Sequence, residues 1–100
     1  MDTYRWYLSK YSTLLWDLEQ IISDTDWRDY LNEIAEDIFL AYLCRKELEK
    51  SPYRDSEEIK TLDAELIKIA ERLKNLHPPA YRYFLKHFQW LIKKIVFLKR

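Results

Sequence analysis

The chain contains no glycine. Tight hairpin turns and phosphate-cradling loops rely on backbone with φ > 0, which residues other than glycine enter only at a cost. A chain of 100 residues with no glycine and only three prolines is therefore directed away from sheets and nucleotide-binding loops. Helices need neither residue in their interiors. Hydrophobic residues make up 48% and sixteen side chains are aromatic, which is enough for one packed core and a single domain over residues 1–100.

Apolar residues recur at helical spacing in four segments. In the first, Tyr4, Tyr7, Leu8, Tyr11, Leu14, Leu15, Leu18, Ile21 and Ile22 line one face, which predicts a helix over about 3–22. Ser23-Asp24-Thr25-Asp26 follows, and its Thr or Asp would cap a second helix over about 26–50. That helix carries Trp27, Tyr30, Leu31, Ile34, Ile38, Ala41, Tyr42 and Leu48 inward and stops before Pro52, which disfavours a helical residue ahead of it. Asp55-Ser56-Glu57-Glu58 reads as an Asp-x-x-Glu capping box opening a third helix over about 56–76. His77-Pro78-Pro79 ends it, with Pro79 suited to the first position of a fourth helix over about 79–98. Four helices joined by short connections predict an all-α fold, an antiparallel up-down-up-down four-helix bundle.

Cys44 is the only cysteine. This excludes an intramolecular disulfide or a cysteine zinc cluster and suits a reducing compartment, so a cytoplasmic location is expected. The N-terminus lacks the pattern of a secretory leader. The longest unbroken apolar run, Ile38–Cys44, is far too short for a transmembrane segment.

Charge is balanced overall but segregated along the chain. Residues 1–50 hold eleven acids against six bases, and residues 51–100 hold six acids against eleven bases. Eight acids against one base, Arg28, fall between Asp17 and Asp37, and no acid follows Glu71.

The residues that the inner faces leave over point to a partner. Ile38–Cys44 is apolar all the way round, so Phe39, Leu40 and Leu43 point away from the inner stripe. Tyr83, Trp90 and Phe97 recur every seventh residue as a second stripe on helix four, and Trp6 sits on the outer side of helix one. Aromatic and leucine side chains in such numbers are expected to meet a protein, either a second copy in a homodimer or a larger partner. Beside the second stripe, Arg82, Lys86, Lys93 and Arg100 share one basic face of helix four, which would suit phosphates or an anionic membrane surface. In a net-neutral chain this is the weaker partner class.

Little of the sequence suggests chemistry. Glu33 and Asp37, four apart on helix two, are the best local pair for a metal ion, but no Glu-x-x-His partner accompanies them. No metal or other cofactor is expected. Arg82-Tyr83-Phe84-Leu85-Lys86-His87 resembles the Arg-x4–6-His motif of the HEPN-family ribonucleases, small helical bundles that dimerise to build the active site. The resemblance covers these six residues and implies an RNA-cleaving dimer in which Arg82 holds the phosphate and His87 moves the proton. Tyr83 departs from the polar residue usual after that arginine. The composition and the outer stripes favour instead a non-enzymatic interaction or regulatory module that self-associates.

Overall fold

The computed structural model describes the backbone of residues 3–98 and the side chains of residues 3–96. The described residues form four α-helices: α1 (Thr3–Ser23), α2 (Leu31–Glu49), α3 (Glu57–Leu76) and α4 (Pro78–Leu98). No described residue has positive φ, in keeping with the lack of glycine.

The ends of these helices have local causes. Between α1 and α2, the Asp24 carboxylate accepts the backbone N–H of Asp26 at 2.8 Å, and Trp27–Tyr30 then forms a single 3₁₀ turn. The α-helix therefore starts at Leu31 rather than Asp26, and neither Asp26 nor Tyr30 caps it through a side chain. At α3 the cap is Ser56, whose Oγ accepts the N–H of Ile59 at 3.3 Å, one position beyond the expected Asp55. His77 alone separates α3 from α4. Its backbone is extended, its N–H donates to Leu73 O at 2.9 Å, and its C=O accepts from Tyr81 N at 3.2 Å. The two helices thus meet at one shared residue, and the prolines begin the second of them, where a missing N–H costs nothing.

The helices form a ring in the order α1, α2, α4, α3. Cross-links between α1 and α3 keep a nearly constant offset: Tyr4 with Ser56, Tyr11 with Asp63, and Ser23 with Arg72. Those two helices therefore run in the same direction. So do α2 and α4, where Phe39 meets His87, Tyr42 meets Phe88 and Glu49 meets Lys94. Direction alternates along the chain, while α1 and α4, and likewise α2 and α3, sit diagonally across the core. The acidic half of the sequence becomes the α1/α2 layer and the basic half becomes the α3/α4 layer. Tyr11, Leu18, Ile34, Ile38, Leu48, Ile59, Leu66, Leu73, Phe84, Phe88 and Leu91 fill the space between them with almost no exposure.

Candidate functional site

The all-round apolar stretch of α2 is covered on two sides, by α1 and by α4. Tyr83 and Trp90, from the second stripe of helix four, are half-buried in the α2/α4 seam. Tyr83, Phe39 and Tyr42 surround the His87 ring, with centroid separations of 4.6, 5.7 and 5.1 Å. Trp90 lies beneath two cations of α2, with Lys46 Nζ at 4.5 Å and Arg45 Cζ at 5.8 Å from its ring. The Phe97 side chain lies outside the described residues.

Phe39 and Leu43 remain outside, 41% and 44% exposed. On the other flank of α2, Leu40 and Leu43 line, together with Trp6, itself 48% exposed, a groove of about 500 Å³ between α1 and α2. Lys10, Lys46 and Lys50 rim this groove, and Lys50 also donates to Glu47 at 3.1 Å. Of the expected interface residues, then, Phe39 and Leu43 are exposed on the outer side of α2, Leu40 is half-buried against the core, and Tyr83 and Trp90 serve the packing of α4 against α2. Trp6, noted in the sequence only as an outward residue, joins the first group because α1 runs antiparallel beside α2.

The other end of the α1/α2 face is acidic. Asp37 is pushed up to about 6, first by burial and then by the neighbouring charges of Asp17, Glu36 and Glu33, with Lys10 opposing. Cys44 is buried in the same layer, and burial raises its thiol above the ordinary value against the pull of Lys10.

Sequence reasoning missed a polar node at the centre of the bundle. Arg45 and Asp63 are 1% and 6% exposed. The guanidinium grips the carboxylate through both ends, Nε to Oδ1 at 2.9 Å and Nη2 to Oδ2 at 3.0 Å. The Tyr11 hydroxyl donates to the same Oδ1 at 2.8 Å. Burial works against the Arg45 charge, but its hydrogen bonds to Asp63 and the charges of Asp63, Tyr11 and Glu49 hold it above its usual value. Burial, followed by the Asp63 charge and hydrogen bond, pushes Tyr11 well up. Glu49 extends the network to α4, accepting from Lys94 at 2.7 and 2.8 Å. Arg45 Nη1 and Trp90 Nε1 have no hydrogen-bond partner among the described residues. The signal was present in the sequence: Arg45 falls in the spacing Ile34, Ile38, Ala41, Leu48, and Asp63 in the spacing Ile59, Leu66, Ala70, where only apolar residues are expected.

Arg82, Lys86 and Lys93 are exposed on α4, and Arg100 lies outside the described residues. His87 Nδ1 is 3.0 Å from Tyr83 O, and its ring is enclosed by the aromatics just described. Arg82 points to solvent about 140° around the helix from it, and no hydrogen bond joins the two. Among the described residues, no group of three His, Cys, Asp or Glu side chains is placed to hold a metal ion. Among the described residues, no helix is long and apolar enough to cross a membrane. Comparison with protein-family models, with curated proteins and with solved structures finds no match to this chain.

Proposed function

We propose that this chain is a small, non-enzymatic interaction module of the cytoplasm that docks on protein through the outer face of α2 and the adjoining groove with α1. The observation that carries the reading is the exposure of Trp6, Phe39 and Leu43 together beside a core that is already closed without them. Fully burying such a side chain is worth about 1.5–3 kcal/mol, so Phe39 and Leu43 on the outer side of α2, with Trp6 and Leu43 lining the adjoining groove, supply the centre of an interface, and the lysines around them supply a polar rim.

The test is a photo-crosslinking amino acid at position 43, irradiated in the cells that make the protein. The reading expects a discrete protein adduct that disappears when Trp6→Ser and Phe39→Ser are added. Irradiation that leaves the chain at its own mass overturns it.

A further inference from the structure

The outward row of α2 has a palindromic order. Asn32, Glu36, Phe39, Leu43, Lys46 and Lys50 are all exposed, and their spacing alternates four and three, the rhythm of a helix-pairing seam. The apolar pair stands in the middle, the acid lies toward the N-terminal end and the lysines lie toward the C-terminal end. Glu33, also exposed, strengthens the acidic end.

A second helix of the same sequence laid antiparallel on this row matches it position for position. Phe39 meets the partner copy's Leu43, Leu43 meets its Phe39, Glu36 meets its Lys46, and Asn32 with Glu33 meets its Lys50. Both ends are then oppositely charged and the centre is dry. An unrelated partner would need one complementary order, but nothing in it would require the row to read as its own complement. Resting on the docking reading above, we infer that the occupant of this face is a second copy of the chain, joined by antiparallel α2–α2 pairing about a two-fold axis between Phe39 and Leu43.

The surroundings fit this arrangement. Two 19-residue helices lie side by side over about 28 Å, and their macrodipoles oppose. Trp6, in the same groove as Leu43 and Glu47, widens the apolar centre on the α1 side. Glu33 and Glu36 stand one turn or less apart at one end of the row, both exposed, and the partner's lysines offset the repulsion between them. A two-fold contact of this kind is closed, so assembly stops at two.

Charge-reversed variants test it. Lys46→Glu with Lys50→Glu makes both ends of the row acidic, and Glu33→Lys with Glu36→Lys makes both ends basic. Light scattering over a concentration series should show a wild-type dimer, with each variant associating at least about 100-fold more weakly because like charges now face each other. An equimolar mixture of the two variants should recover a dimer of one copy each, with helical circular dichroism unchanged throughout. A wild-type monomer at every concentration, variants that keep the wild-type mass, or a mixture that stays monomeric would each overturn the inference. The position-43 crosslink separates its failure from that of the docking reading. An adduct of twice the chain's mass supports both, an adduct of any other mass retains docking and rejects the second copy, and no adduct rejects both.

Discussion

Arg45 on α2 and Asp63 on α3 form a two-pronged ion pair at 2.9 and 3.0 Å between helices none of whose described Cα atoms come within 8 Å of each other. The long guanidinium side chain crosses the diagonal of the bundle that the backbones leave open. Tyr11 from α1 binds the same carboxylate, and Trp90 from α4 lies against the guanidinium, so all four helices meet at one buried charge pair. A buried pair contributes little net stability, because desolvation offsets most of its attraction, but losing one member strands the other.

From this follows an asymmetry between single and paired replacements. Asp63→Leu alone should destabilise the protein by about 3–5 kcal/mol, because it leaves Arg45 charged and buried, whereas Arg45→Met with Asp63→Leu should cost far less or even stabilise. Urea unfolding of the two single variants and the double variant, analysed as a cycle, measures the difference. A loss in the double variant equal to the sum of the two single losses would mean that the pair is not coupled.

Tyr11→Phe preserves the shape of a side chain with no exposure and removes only its hydrogen bond to the Asp63 carboxylate. A hydrogen bond to a charged group is worth about 1.5–3 kcal/mol, and that is the expected loss in unfolding free energy. In the wild type, absorbance titration should find a tyrosine that ionises well above the ordinary tyrosine value while the fold persists, since burial and the Asp63 charge both resist a phenolate there.

Asp37 gives stability a pH dependence of defined sign. Its folded value of about 6 lies above the ordinary 3.8, so the folded chain holds this proton more tightly than the unfolded chain. Stability from this group is fully present below about pH 4 and is lost as pH rises through 6. Asp37→Asn should therefore raise the melting temperature at pH 7.5 and leave it nearly unchanged at pH 3.5. Both measurements belong in a Leu43→Asp background, so that association does not enter. A larger gain at the lower pH would contradict the assignment.

Surface and seam residues should separate cleanly. Leu43→Asp touches an exposed position and, compared with wild type at concentrations too low for assembly, should change unfolding free energy by no more than about 0.5 kcal/mol while abolishing assembly at higher concentration. Trp90→Ala removes a half-buried ring that supports Arg45 and Lys46, and it should cost about 1–3 kcal/mol, less than a fully buried tryptophan. Thermal unfolding and light scattering on the same samples check both.

The basic face of α4 offers a check on the enzymatic expectation. With Arg82 in solvent and His87 held among rings and bonded to Tyr83 O, concentrated protein should leave single-stranded RNA intact without added metal, and His87→Ala should not alter assembly. Metal-free cleavage that both Arg82→Ala and His87→Ala abolish would establish the HEPN-like reading in place of the interaction module.

The local rules of the chain were legible from residues alone. Three-and-four spacing located four helices, the lack of glycine disfavoured left-handed turns, and Pro79 marked the start of α4 to within one residue, the helix beginning at Pro78. Even so, Ser56 rather than Asp55 took the cap, and Trp27–Tyr30 wound as a 3₁₀ turn. Choices separated by one residue depend on where the preceding loop delivers the backbone. The outward direction of Phe39 and Leu43 was also legible, because a helical wheel gives each side chain's angle about its own axis, whereas Leu40, expected outside with them, is half-buried against the core. What the wheel lacks is the neighbour at that angle. Tyr83 and Trp90 share an outer stripe by periodicity, yet α2 lies alongside it. Arg45 and Asp63 stood out as charges at core positions, eighteen residues apart, but only the diagonal placement of α2 and α3 brings them together. Periodicity acts over a few residues through backbone geometry, whereas the covering of each face is decided by how four helices share one core.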